Sequence, residues 1–143
     1  MTLTQQILWG SLYLGVCLIL QMVFMALGAT YLNKLSGRLS AVPKVVHNSS
    51  LLLIALVLIV LSHTAQTWLW ACVFVINDVL ADWNSAIYFS LVTYTALGYG
   101  DIVLGPGLRI FAAFASVTGL LAFGISTAFL VALMGRLFSA RLN

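Results

Sequence analysis

Three long stretches of this chain, residues 7–32, 51–77 and 110–135, contain no Asp, Glu, Lys or Arg. Each is longer than the roughly 20 residues that an α-helix needs to cross the hydrocarbon layer of a membrane. The composition agrees, because 63% of the 143 residues are hydrophobic and only 6% are charged. A soluble domain carries about 25% charged residues. The chain therefore has too few charges to cover a water-exposed surface, which predicts an all-α membrane protein with three transmembrane helices.

The basic residues predict the orientation of these helices. Five of the six lie either in the loop of residues 33–44 or near the C-terminus, and cytoplasmic segments of membrane proteins are enriched in Lys and Arg. We therefore expect the N-terminus outside, the C-terminus in the cytoplasm, and residues 78–107 on the outer side. All three acidic residues, Asp78, Asp82 and Asp101, fall in that outer segment. Five aromatic residues are expected to form a belt at the outer membrane surface: Trp9, Tyr13, Trp68, Trp70 and Trp83.

The outer segment is too long for a simple turn, and it divides into two parts. Residues 83–94 have apolar side chains at helical spacing, and Asp82 stands in the N-cap position. Residues 95–101 then read TALGYGD and include Gly98 and Gly100. A short helix followed by an extended, glycine-bearing strand is typical of a re-entrant loop, which a membrane tolerates only where protein buries it or water wets it.

This arrangement resembles the pore module of bacterial potassium channels, in which an outer helix, a pore helix, a filter and an inner helix follow one another. The resemblance covers residues 84–134 together with the preceding span as the outer helix. It implies K+ as the permeant ion, bound mainly by backbone carbonyl oxygens. Six residues would form the filter: Thr95, Ala96, Leu97, Gly98, Tyr99 and Gly100.

The chemistry of such a filter can be argued from the residues. A cation in a narrow pore needs oxygen atoms in place of its water, and carbonyl groups supply them when successive peptide units point the same way. An ordinary strand alternates these directions, whereas Gly98 and Gly100 reach the unusual dihedral angles at low cost. The Tyr99 ring can then pack outward against neighbouring helices, and the Asp101 carboxylate at the outer mouth raises the local cation concentration. The alternative interpretation is a Gly-Tyr-Gly-Asp turn on a surface loop.

The resemblance divides the chain into an N-terminal transmembrane helix with its loop, residues 1–44, and a pore domain, residues 45–143. The expected parts of that domain are an outer helix at 45–77, a pore helix at 83–94, a filter at 95–101 and an inner helix at 107–141. On the inner helix, Phe123 and Thr127 would face the cavity. Gly119 would act as a hinge or as a site of close helix packing.

Two positions depart from the family pattern, and a third affects the support of the filter. Ala96 stands where the family usually has threonine, so the hydroxyl of the innermost ion site is missing. Leu97 replaces the usual valine, a mild change because the carbonyl coordinates the ion. Tyr88 and Phe89 match the aromatic pair that supports the filter, but Phe89 lacks the indole N–H that often holds the filter aspartate.

His63 is the one histidine inside the three spans, and Gln21 lies at a comparable depth in the first span. An ionisable residue inside a membrane is a functional hypothesis by default. A hydrogen bond between His63 and Gln21 across two helices would explain both residues without any function.

One chain supplies one filter loop, which cannot enclose an ion, so we expect a homotetramer with fourfold symmetry in the cell membrane of a prokaryote. The expected function is passive K+ conduction. The alternatives are a non-selective monovalent cation channel, because of Ala96, and a non-conducting subunit of another channel. No enzyme motif and no arginine ladder is present, and no nucleic-acid or soluble protein partner is indicated.

Overall fold

The computed structural model describes residues 1–38 and 43–139. All secondary structure in these ranges is α-helical, and it forms four elements: α1 (Leu3–Arg38), α2 (Lys44–Ile76), α3 (Trp83–Tyr94) and α4 (Arg109–Ser139). Helices α1, α2 and α4 are each long and apolar enough to cross a membrane. For the described residues this confirms the predicted all-helical fold with three helices able to span a membrane. The predicted end of the inner helix at residue 141 lies outside the described residues.

The ends of the helices are set by specific polar groups. The Asp82 side chain accepts a hydrogen bond of 2.9 Å from the backbone N–H of Ser85, so the predicted N-cap of α3 is confirmed. This bond also holds the pKa of Asp82 below its ordinary value, because it stabilises the charged carboxylate. Helix α4 begins beside α1, where the Gln6 side-chain oxygen accepts hydrogen bonds from the N–H groups of Ile110 and Phe111. The first N–H groups of a helix lack partners within it, so Gln6 satisfies two of them.

The short helix α3 packs between α2 and α4, and α1 packs against both α2 and α4. One hydrophobic cluster of the bundle is rich in aromatic rings, most of which meet edge to face; the centroids of Phe74 and Phe89, for example, lie 5.2 Å apart. Trp70 is fully buried in this cluster, so its expected place in a surface belt is wrong. Trp9, Trp68 and Trp83 are about half exposed, as residues of such a belt should be.

Candidate functional site

The residues that follow α3 turn back onto the end of the helix. The backbone N–H of Ala96 donates to the Thr93 carbonyl at 2.9 Å, and the N–H groups of Leu97 and Gly98 both donate to the Val92 carbonyl, at 3.0 and 3.2 Å. In a trans peptide unit the C=O points opposite to the N–H. The carbonyl groups of the same peptide units therefore point away from α3, on the other side of the loop.

The backbone dihedral angles of this loop alternate in sign. Ala96, Gly98 and Gly100 have φ values of +57°, +56° and +79°, whereas Leu97 and Tyr99 between them have negative φ. A left-handed residue at every second position reverses the alternation of a strand, so successive carbonyl groups face one side. Gly98 and Gly100 adopt this conformation at little cost, but Ala96 adopts it with a Cβ atom present, which costs about 1–2 kcal/mol. Strain of this kind in a non-glycine residue is a pointer to function.

The carbonyl oxygens of residues 95–100 accept no hydrogen bond from any described residue. All six residues are exposed on the single chain, and the Tyr99 ring is 69% exposed. By contrast, carbonyl groups in the last turn of α3 accept side-chain hydrogen bonds: Thr93 accepts from the Ser116 hydroxyl at 2.8 Å, and Leu91 accepts from the Thr95 hydroxyl at 2.7 Å. The loop therefore exposes several unbonded carbonyl oxygen atoms, and it follows a helix end that is held by hydrogen bonds.

Asp101 at the end of the loop is held by Tyr88 of α3, whose hydroxyl donates a hydrogen bond to the Asp101 carboxylate. This bond lowers the pKa of Asp101 below its ordinary value, because it favours the charged form. Since Asp101 is exposed, its charge faces solvent beside the free carbonyl groups. The Tyr88 hydroxyl supplies the bond that Phe89 cannot give, although its residue is 13 positions away in the sequence.

Gly119 of α4 lies against the last residue of α3. A Cβ atom at position 119 would come within 1.8 Å of the Tyr94 carbonyl oxygen, so no larger residue fits without moving one of the two helices. Close packing against Tyr94 therefore explains why position 119 is a glycine. Its role as a hinge stays a prediction.

The two residues expected to line a cavity, Phe123 and Thr127, lie one turn apart on α4. Phe123 is 39% exposed, and its ring lies 4.4 Å from the His63 ring and 5.8 Å from the Tyr94 ring, centroid to centroid. Thr127 is exposed, and its hydroxyl donates to the Phe123 carbonyl. Because both residues keep exposed surface on the helix that follows the loop, they stay candidates for the cavity wall.

His63 and Gln21 do not form the direct hydrogen bond that the sequence suggests. The Ser126 hydroxyl lies between them, 2.8 Å from Gln21 Nε2 and 3.0 Å from His63 Nε2. The other ring nitrogen, His63 Nδ1, lies 2.8 Å from the Tyr94 hydroxyl. The sequence indicates that Ser126 and Tyr94 need hydrogen-bond partners, since both are polar residues in or beside apolar helices. It does not indicate which residues those partners are.

No group of three or more His, Cys, Asp or Glu side chains within residues 1–38 and 43–139 could hold a metal ion. The oxygen atoms that the site offers to a cation are those of the unbonded backbone carbonyl groups and of the exposed Asp101 carboxylate, which also accepts the Tyr88 hydrogen bond. Hard cations prefer such oxygen ligands.

A family model described as an ion channel matches residues 52–136, more than half of the chain. The chain belongs to this ion channel family. The matched part holds most of α2, all of α3 and the loop, and most of α4, whereas α1 precedes it. No significant match was found among curated proteins or among solved structures. Membership in an ion channel family, together with three membrane-spanning helices, makes the chain a multi-pass membrane protein and favours transport over catalysis.

Proposed function

We propose that this protein is a potassium-selective channel, in which four copies of the loop of residues 95–100 surround a shared axis. The observation that carries the proposal is the alternation of left-handed residues at Ala96, Gly98 and Gly100, next to carbonyl oxygens that no described residue bonds. Oxygens aligned in this way replace the hydration shell of K+, as the carbonyl rings of potassium filters do. Ion channel membership supports the same reading.

The need for several copies follows from the exposure of the loop. An unbonded backbone segment is stable inside a membrane only if protein buries it or it lines water, yet the single chain leaves all of residues 95–100 exposed. A ring of four chains would bury the outer side of each loop, including the Tyr99 ring, and would direct the carbonyl groups to the axis. In that assembly α3 would be a re-entrant pore helix, with its negative C-terminal end aimed at the ion.

The position of Asp101 supports an outer mouth on the same side. Four carboxylates in a ring attract cations before they enter the filter, and the bond from Tyr88 keeps each carboxylate charged into the acidic range. The positive-inside pattern of the sequence would place this mouth outside the cell.

A non-selective monovalent cation channel is the second candidate, and one observation favours it. Ala96 has the left-handed conformation of a filter residue but no hydroxyl, so the innermost site would have one ring of ligands fewer than the family pattern. Fewer ligands of the right field strength weaken the preference for K+ over Na+.

The test is a flux measurement on purified protein reconstituted in liposomes, followed by reversal potentials in planar bilayers with K+ on one side and Na+ on the other. A reversal potential near the K+ equilibrium potential, with block by Ba2+, supports the selective channel. A value close to zero in these bi-ionic conditions supports the non-selective channel instead. Absence of any cation flux from correctly assembled tetramers would overturn both and support a non-conducting subunit. Cross-linking in the same liposomes measures the number of chains.

A further inference from the structure

We propose that helix α1, which precedes the residues matched by the ion channel family, positions the selectivity filter through a chain of buried hydrogen bonds that ends at Tyr94. The inference rests on the proposed function. It assigns Gln21, Ser126 and His63 as positioning residues for ion selectivity, although none of them touches the permeant ion.

The chain of bonds joins all four helices. It begins with Gln66 of α2, whose Nε2 donates to Gln21 Oε1 of α1 at 2.7 Å. Gln21 Nε2 donates to the Ser126 hydroxyl of α4 at 2.8 Å. Ser126 lies 3.0 Å from His63 Nε2 of α2, and His63 Nδ1 lies 2.8 Å from the hydroxyl of Tyr94, the last residue of α3.

Four of the five members of this chain are buried away from solvent, and His63 between them is partly buried. Gln21 and Gln66 are fully buried, Ser126 is 4% exposed and Tyr94 is 1% exposed. A buried polar group that loses its partner pays the full cost of its desolvation, because no water replaces the bond. Each residue therefore restrains the position of the next one, and a substitution at Gln21 alters the position of the His63 imidazole ring through Ser126.

Tyr94 carries the constraint to the loop. It directly precedes Thr95, and its carbonyl oxygen lies so close to Gly119 that a Cβ atom there would be 1.8 Å away. The Tyr94 side chain contacts His63 and its main chain packs against α4. The end of α3 is therefore restrained through both its side chain and its main chain. The N–H groups of residues 96–98 bond to the last turn of this helix, and a displacement of that turn moves the carbonyl groups that would coordinate the ion.

The main test compares two buried glutamines of α1. Gln21→Leu removes the link to Tyr94, whereas Gln6→Leu removes a glutamine that also bonds α4, at Ile110 and Phe111, but has no connection to the chain of bonds. We expect Gln21→Leu to lower the K+ to Na+ permeability ratio by roughly two- to tenfold, the range that one lost net hydrogen bond gives. Gln6→Leu should leave the ratio unchanged. Equal ratios in the two variants would overturn the inference.

A double variant tests the route itself. Tyr94→Phe removes only the hydroxyl at the end of the chain, so it should lower the ratio by itself. If Gln21 acts through Tyr94, adding Gln21→Leu to Tyr94→Phe should change the reversal potential no further, since both substitutions cut one path. Additive changes in the reversal potential would overturn the route, and an unchanged ratio in Tyr94→Phe would overturn the proposal even where Gln21→Leu fails to assemble.

Two substitutions at His63 separate the halves of the chain. An asparagine amide can occupy the place of Nδ1 and keep the contact with Tyr94, and a glutamine amide can occupy the place of Nε2 and keep the contact with Ser126. His63→Asn should therefore retain more selectivity than His63→Gln, and the reverse order would count against the proposal. A wild-type channel that conducts K+ and Na+ equally would refute the proposed function, whereas a selective wild type with unaffected variants would refute this inference alone.

Discussion

The polar groups of the loop of residues 95–100 differ in exposure and bonding from those of the helix interface that contains Gln21, Ser126 and His63. In the loop, the backbone carbonyl oxygens are exposed and accept no bond from any described residue. In the interface, polar side chains such as Gln21 and Ser126 are buried, and they bond to one another across helices.

The difference shows which polar groups form hydrogen bonds within one chain and which remain without a partner there. In the interface, the side chains of Gln21, Ser126, His63 and Tyr94 find hydrogen-bond partners within a single copy, although the Gln66 side-chain oxygen has none among the described residues. The loop has free acceptors and a strained Ala96, and in the proposed channel a cation and neighbouring chains would use these acceptors and cover the loop. In the proposed channel the interface is the support of the loop, and the loop is the ion site.

The largest expected effect comes from forcing a side chain onto a left-handed glycine of the loop. Gly98 has a φ of +56° and open space around it, so Gly98→Ala adds strain of about 1–2 kcal/mol in each chain without a steric clash within the chain. We expect K+ flux to be lost while membrane insertion is retained. Gly105→Ala is the matched control, because Gly105 also has open space but no left-handed φ. Undiminished K+ current through Gly98→Ala liposomes would break the distinction between loop and support.

The next effect should come from the support. Gly119→Ala places a Cβ atom 1.8 Å from the Tyr94 carbonyl oxygen, and overpacking of this kind costs typically about 1–3 kcal/mol. We expect a lower midpoint of thermal unfolding in detergent, measured by tryptophan fluorescence. Gly124→Ala, with nothing within 4 Å, should leave the midpoint unchanged or raise it. Equal midpoints for the two variants would show that the α3–α4 contact is not tight.

A smaller effect is expected where the two regions meet, at the bond from Tyr88 to Asp101. Tyr88→Phe removes the donor that lowers the pKa of Asp101, so this pKa should rise toward its ordinary value. The carboxylate then loses its charge at a higher pH during acidification, and the K+ conductance should fall at a higher pH than in the wild type. Conductance measured with the outer solution titrated from about pH 6 to 3 checks this shift.

The control for that titration is Asp101→Asn, which should lower the conductance and remove this part of its pH dependence. If the wild type and Tyr88→Phe lose conductance at the same pH, the Tyr88 bond does not set the charge at the mouth.

The smallest expected effect concerns the start of α3, far from the free carbonyl groups. Asp82→Ala removes the acceptor for the Ser85 N–H, so hydrogen exchange at this amide should become faster while ion selectivity stays unchanged. Asp82→Asn keeps a side-chain oxygen that can cap the helix and should preserve slow exchange. A change of selectivity in Asp82→Ala would mean that the support extends along the whole of α3.

Several features of this protein follow from residues that are close together in the chain. The three spans depend on runs of apolar residues, the cap at Asp82 depends on Ser85 three positions later, and the left-handed positions include the two glycines of the motif. Local backbone preferences and hydrophobicity decide such features, because the interacting groups are already neighbours before the helices pack.

Other features depend on partners that only the packing of the helices brings together. Ser126 stands between His63 and Gln21, 63 residues from one and 105 from the other. The burial of Trp70 likewise depends on which face of α2 meets its neighbours. A polar residue within an apolar helix has no partner close to it in the sequence. The sequence therefore shows that such a residue needs a partner, whereas the packing of α1, α2 and α4 determines which residue that partner is.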